Sequence, residues 1–213
     1  MLTIHHLGVS QSERIIWLCE EYDVPYDLKI YERDPDTRLA PAEYKALHPA
    51  GTAPVITDGD ITLAETNAIF EYILTKYAPG KGRLSPDDPD YADFLYWYHF
   101  VNGSLIPAGM TVMIMGILGD AVPEQMKTGL SSRYDRGYDM VEKRLSENDW
   151  IAGDKFTAAD IMLAFSLTTA RYFFPKDLSP YPAILAYIQR VAARPAYQRA
   201  MKKGDPDMEL LLT

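Results

Sequence analysis

One cysteine, Cys19, stands in 213 residues. A single thiol excludes an intramolecular disulfide framework, a CxxC redox pair and any zinc site built on cysteine. Histidine is scarce too, and His5, His6, His48 and His99 do not have zinc-ligand spacing. Basic residues are outnumbered, 21 Lys and Arg against 30 Asp and Glu, for a formal charge of −9. No Lys/Arg cluster is present, which excludes a broad nucleic-acid footprint. The acidic balance favours solubility and names no partner. The stretch Phe94–Leu118 has no Asp, Glu, Lys or Arg, yet it holds His99, Asn102, Gly103, Ser104, Pro107 and Gly109 and makes a poor membrane span. Met1–Ser10 lacks the basic and apolar regions of a signal peptide. There is no P-loop and no Rossmann glycine pattern. Ser10 with a distant histidine would suit a hydrolase triad, but the GxSxG elbow is missing. The expectation is a cytoplasmic chain with no metal, no membrane and no nucleic-acid partner.

What is present reads as two unlike halves. Hydrophobic residues at 47% and charged residues at 24% are ordinary globular usage, enough for one large domain or two small ones. Leu2–Leu7 is apolar and strand-like, and Ser12–Tyr22 carries Ile15, Ile16, Leu18 and Cys19 at helical spacing with Glu13, Glu20 and Glu21 outward. Tyr26–Tyr31 alternates as a strand, and Pro41–Leu47 opens a short helix with proline. Ala53–Thr57 and Ile61–Ala64 flank Asp58-Gly59, a hairpin signal, and Thr66–Tyr77 is amphipathic. The order βαβ, α, ββα is a thioredoxin-like layout.

Ala78–Asp90 packs three prolines and two glycines into thirteen residues and marks the linker. Residues 1–78 form the predicted first domain, 79–90 the linker and 91–213 a helical domain. Its predicted helices are Tyr91–Leu118, with a kink or break at Pro107, Glu124–Asn148, Thr157–Phe174, Pro182–Ala193 and Pro195–Lys203. Thr157-x-x-Asp160 is a capping box, with Phe156 and Ile161 at the staple positions, and is read as a helix start without catalysis.

Four segments now stand in order: Val9-Ser10-Gln11-Ser12-Glu13-Arg14 after the first strand, Thr52-Ala53-Pro54-Val55-Ile56, Glu65-Thr66-Asn67-Ala68-Ile69, and Gly153-Asp154 leading to Phe156-Thr157-Ala158-Ala159-Asp160-Ile161. In this order and spacing they resemble a cytosolic glutathione transferase, nearest the bacterial and fungal Ser-type members with some likeness to the theta class, and the resemblance covers essentially the whole chain. The resemblance implies an α/β N-terminal thioredoxin-like domain that binds glutathione and an all-α C-terminal domain that contributes the electrophile site.

Such an enzyme must present glutathione as a thiolate, because the thiol is a poor nucleophile. A thiol of pKa near 8.5 is only about 3% ionised at pH 7. A hydrogen bond to a charged acceptor is worth roughly 1.5–3 kcal/mol, one to two pKa units. In the S-Q-x-x-R arrangement the resemblance assigns that bond to Ser10, aided by the positive end of the following helix. Ser12 is the alternative. Ser10-x-x-Glu13 is also a capping box, so a purely structural serine stays open. Arg14 reads as structural. Glutathione-disulfide reductases of this fold carry cysteine where Ser10 stands. Cys19 lies two turns into the helix among apolar residues and reads as a core thiol.

The resemblance further implies that Pro54 is cis, so that Val55 pairs its backbone with the cysteinyl part of glutathione. Glu65 would accept the α-ammonium of the glutamyl group, and Thr66, at a helix N-terminus, would bind its carboxylate. Relatives usually have serine at the Thr66 position and often a basic residue at Asn67. For the glycyl carboxylate, Thr52 stands where many relatives have Lys or Gln, and Arg38 or Lys45 would substitute. His48 reads as a helix-end residue. The expected electrophile site, between the domains, draws on Tyr98, His99, Asn102, Met110, Met113, Met115, Tyr172 and Phe173, adaptable apolar side chains that are also ordinary packing. Asn102 would reach glutathione of a partner subunit. The function implied is conjugation of the glutathione thiolate to hydrophobic electrophiles by a homodimer. The alternatives are a glutathione-dependent peroxidase acting on organic hydroperoxides and a non-enzymatic interaction protein of the same fold.

Overall fold

The computed structural model describes residues 1–213, which divide into two units, Met1–Gly82 with Ala192–Glu209, and Arg83–Val191 with Leu210–Thr213. In the first unit four strands, β1 (Leu2–Leu7), β2 (Asp27–Tyr31), β3 (Val55–Asp58) and β4 (Ile61–Ala64), form one sheet in the order β2-β1-β3-β4. β1 runs parallel to β2, joined through α1 (Glu13–Tyr22), and antiparallel to β3, which forms a hairpin with β4. A parallel pair needs such a crossover, whereas the antiparallel pair needs only a tight turn. That turn is Gly59-Asp60, one residue later than the sequence signal, because Asp58 stays in the strand opposite Ile61. Gly59 has φ +59, the conformation that a type II′ turn demands at its first loop position. The short α2 (Ala42–Lys45) lies in the connection from β2 to β3, and α3 (Thr66–Lys76) follows β4.

Ile4 and Ile56 of the sheet, Ile15, Ile16 and Leu18 of α1, and Ile69, Phe70 and Ile73 of α3 are fully enclosed. The helical half does not keep all its helices to itself. α9 (Pro195–Gly204) belongs to the first unit and covers α1. The Trp17 and Tyr197 rings meet edge to face at 5.0 Å. Arg199 and Lys203 reach the Glu20 carboxylate at 2.8 and 2.5 Å, and Arg194 pairs with Glu21. Glu20, expected to face water, is therefore buried, and Glu13 is buried as well. Burial works to raise the Glu20 carboxyl, but the bonds from Lys203, Tyr26 and Arg199 hold it below its ordinary value.

The second unit is helical: α4 (Tyr91–Phe100), α5 (Ile106–Leu118), α6 (Glu124–Glu147), α7 (Ala158–Leu167) and α8 (Pro182–Ala192). The predicted break at Pro107 takes the form of a π-helical turn, Val101–Leu105, between α4 and α5. Proline has no N–H to give the carbonyl four residues back. The turn widens, and Ile106 N–H bonds to Val101 O. By length and composition Tyr91–Ala121 reaches the size and apolarity of a membrane span. Here about a third of that segment is buried, where α4 packs on α7 and α5 on α6. Gly109 permits the second contact, since a Cβ there would lie 2.7 Å from the Phe174 ring and 3.0 Å from that of Tyr134.

All ten residues of α7 are buried, and the capping box is formed as the sequence indicates. Thr157 Oγ accepts from Ala159 N–H, and Asp160 accepts from Thr157 N–H at 2.8 Å. The helix ends earlier than expected. Thr168, at φ −120° and ψ −100°, breaks it, and Thr169–Tyr172 continues as a 3₁₀ turn.

Candidate active site

Two helices of the first unit begin side by side. Arg14, fully buried on α1, bonds to the backbone and side-chain oxygens of Gln11 and also reaches Thr66 Oγ1, at the head of α3, at 3.1 Å. The residue read as structural thus ties the two helix N-termini together. Neither start is sealed by a side-chain cap. The backbone N–H groups of Ser10 and Gln11 make no hydrogen bond within the chain. Free N–H groups, two neighbouring helix N-termini and a buried guanidinium make this corner of an acidic protein favourable to anions.

The chain entering each helix is held in a conformation that side chains disfavour. Val9 has φ +49 and Glu65 φ +72. For a β-branched residue such as Val9 this is a true outlier. The surroundings enforce it: Asp205 Oδ1 accepts Val9 N–H at 2.8 Å, and Arg33 donates to the carbonyls of Gly8 and Val9 at 2.8 and 3.0 Å. Strain of this kind collects where a structure presents groups to a ligand. Burial is the main cause that lowers the Arg33 pKa, helped by Arg38.

Ser10 is buried at the head of α1, and its hydroxyl turns inward, 2.6 Å from Leu7 O and 2.7 Å from Ser12 Oγ. Ser12 lies deeper, 2.8 Å from His6 Nδ1, and His6 Nε2 lies 3.0 Å from Asp205 Oδ2. The expected capping bond from Ser10 to Glu13 is replaced by a backbone one, Glu13 N–H to Ser10 O at 3.2 Å.

The Ala53–Pro54 peptide is cis. Val55 is the first residue of β3, opposite His5 of β1 and Ala64 of β4, and its backbone also bonds to the Tyr44 side chain. Ala53, before the proline, is partly exposed and makes no hydrogen bond within the chain. Glu65 is exposed and Thr66 buried, side by side at the start of α3. Thr52 is exposed without a polar partner, and Arg38 and Lys45 project from exposed positions. Arg38 is at φ +60, and its carbonyl accepts from Arg33 at 2.9 Å. His48 is used locally, accepting Ala50 N–H at 3.1 Å.

Of the expected electrophile residues, Tyr98 is fully buried and stacks on Phe94 with centroids 5.6 Å apart, so it is core and offers no face to a ligand. Met115 is likewise buried. Asn102 is partly exposed in the π turn, Met113 partly exposed on α5, and Tyr172 exposed after α7. Cys19 is fully buried, and burial pushes its thiol far above the ordinary range.

Sequence reasoning missed Arg33, His6 and Asp205. The first is separated from Val9 by a whole strand, and Asp205 by nearly the whole chain. No local spacing signals either contact.

The profile of the glutathione S-transferase N-terminal domain matches residues 10–76, and that of the C-terminal domain matches residues 105–195. Glutathione S-transferase 3 of Schizosaccharomyces pombe is 33% identical over 218 aligned positions, covering 95% of this chain and 88% of that one. Glutathione S-transferase 1 of Saccharomyces cerevisiae is 29% identical, covering 96% and 95%. A solved glutathione S-transferase of Actinobacillus pleuropneumoniae has a TM-score of 0.88 at 33% identity, covering 96% of this chain and 93% of that one.

Proposed function

The chain belongs to the glutathione S-transferase family and is a glutathione transferase, and we propose that Ser10 stabilises the glutathione thiolate at the paired N-termini of α1 and α3. It is an enzyme with glutathione as co-substrate, and neither the peroxidase nor the non-enzymatic reading is favoured by its relatives.

The observation that carries the site is the convergence on Arg14 of Gln11 beside Ser10 and of Thr66. With glutathione bound, the Ser10 hydroxyl donates to sulfur, and the N–H groups at the head of α1 add a favourable field. A charge-assisted bond of this kind is worth roughly 1.5–3 kcal/mol, one to two pKa units of the thiol. The glutamyl carboxylate takes the N-terminus of α3 with the Thr66 hydroxyl, and Glu65 accepts the ammonium. The antiparallel backbone partner of the cysteinyl unit is Ala53, whose amide and carbonyl are unused, and Val55 supports the strand behind it. Pro54 shapes this turn. Arg38 is favoured over Thr52 for the glycyl carboxylate because it brings charge.

The thiolate attacks an electrophilic carbon of a hydrophobic co-substrate, and the sulfur–carbon bond forms as the leaving group departs. The helical unit supplies Asn102, Met113 and Tyr172 as contact candidates. An exposed apolar strip with Met110, Ile114, Ile117 and Leu118 on α5 and Met126 and Leu130 on α6 suits a second copy of the chain, and a cytoplasmic homodimer is the expected form.

Calorimetry with glutathione and ultraviolet difference spectra on wild type and Ser10→Ala test the reading. Similar binding, with the thiolate band lost in Ser10→Ala, is the expected result. An equal band in both proteins would move the activation to Ser12 or to the helix N-terminus. Sedimentation of the purified chain tests the dimer.

A further inference from the structure

His6 and Ser12 are buried and Asp205 is half-buried, and the three form one hydrogen-bonded line that ends on Ser10. The distances are 3.0 Å from Asp205 Oδ2 to His6 Nε2, 2.8 Å from His6 Nδ1 to Ser12 Oγ, and 2.7 Å from Ser12 Oγ to Ser10 Oγ. His6 and Ser12 are fully enclosed. We propose that this line is a proton wire, and that His6, seated on Asp205, receives the proton that glutathione loses when its thiolate forms.

The order of the protons follows from what each group is able to do. A carboxylate only accepts, so His6 Nε2 carries a hydrogen and donates it to Asp205. In the neutral ring Nδ1 is then an acceptor, and Ser12 gives its hydroxyl proton to it. Ser12 Oγ accepts Leu7 N–H at 3.2 Å and has a lone pair left for Ser10. The Ser10 proton has two inward acceptors, Leu7 O and Ser12 Oγ, and the wire conducts when it lies on Ser12. Ser10 Oγ also accepts Ser12 N–H at 3.3 Å, and its remaining lone pair is open to an incoming thiol. Every proton along the line then points toward Asp205.

The transfer balances. The S–H bond breaks and its proton joins Ser10 Oγ. The former Ser10 proton moves to Ser12 Oγ, and the former Ser12 proton moves to His6 Nδ1. The products are a thiolate that accepts a hydrogen bond from Ser10 and an imidazolium paired with the Asp205 carboxylate. No water has to enter. The inference rests on the reading of Ser10 as the thiolate's partner. His6, Ser12 and Asp205 act through Ser10 and are positioning residues for it.

The test uses the wild-type protein first. ¹⁵N-labelled histidine spectra are recorded at pH 7.5 with and without glutathione, the His6 signals being assigned by their loss in His6→Gln. Proton release on binding is measured with an indicator dye alongside the thiolate band. The expected result is a thiolate band, protonation of His6 Nδ1, and release of much less than one proton per bound glutathione. Asp205→Asn keeps an acceptor oxygen for Val9 N–H but donates its amide to His6 Nε2, which forces the hydrogen onto Nδ1 and reverses the wire. The same tautomer logic governs an Asp-to-Asn change beside a catalytic histidine. Its thiolate fraction should fall about tenfold, the size of one lost charge-assisted bond, with glutathione still bound. A wild-type thiolate band with one proton released and unchanged His6 nitrogens overturns the wire and leaves Ser10 standing. A full band in Asp205→Asn does the same. Glutathione bound without any thiolate in wild type overturns both readings.

Discussion

Removing the Asp160 carboxylate should destabilise the helical unit by an amount that grows in mild acid. Asp160 is completely buried and accepts Thr157 N–H at 2.8 Å, Ile151 N–H at 2.9 Å and the Tyr187 hydroxyl at 3.2 Å. In Asp160→Ala the tyrosine keeps a partner, since it also reaches Asp160 O at 3.2 Å. The two backbone N–H groups do not. A buried donor without an acceptor costs about 1–3 kcal/mol, so the loss is about 2–6 kcal/mol. Burial outweighs these donors and pushes the Asp160 carboxyl up to about 6 from 3.8. The folded chain therefore holds this proton more tightly than the unfolded chain. The contribution is fully present below the unfolded value and is lost as pH rises through about 6. From pH 7 to pH 5 the wild type gains about 1 kcal/mol from this group, while the alanine variant gains nothing from it. Glu20 and Asp58 are held low by their partners, and His5, whose pKa burial lowers, acts equally in both proteins, so the gap between them isolates Asp160. Urea unfolding followed by circular dichroism at pH 5 and pH 7 reads both quantities. A loss below 1 kcal/mol, or a gap between the two proteins that narrows toward pH 5, would contradict this role of Asp160.

Two further outcomes concern the first unit. Arg14→Met keeps the length of the side chain but releases Gln11 and Thr66 together, and each lost charge-assisted bond is worth roughly 1.5–3 kcal/mol. Glutathione affinity by calorimetry should fall at least tenfold, whereas unchanged affinity would mean that the helix starts are held by other contacts. Cys19, whose thiol burial keeps protonated, should not react with an aromatic disulfide in the native protein and should titrate as one thiol in urea. Rapid native labelling would contradict its place in the core.

Hydrophobic period, glycine and proline punctuation and the capping box are local signals, and they locate nearly every element. The Thr157–Asp160 start of α7 is complete within four residues, so its geometry is legible in the chain itself. Where local signals mislead, tertiary contact overrides them. Glu20 has the spacing of a solvent-facing residue, but α9 returns from the far end of the chain to cover it with Arg199 and Lys203. Tyr98 has the chemistry of a ligand contact, but its neighbours enclose it. Val55 stands in the right motif, and only the fold shows that it opens β3 with its backbone against the Tyr44 side chain. Arg14, named from its motif, gains its role only when α3 brings Thr66 within reach.

The residue types at the heads of α1 and α3, and with them the chemistry of the site, are written in the primary structure. Which way those groups point, and what lies behind them, depends on long-range packing. Asp205, His6 and Ser12 meet because α9 packs on α1, and a hydrogen bond between residues 199 positions apart has no periodicity to announce it.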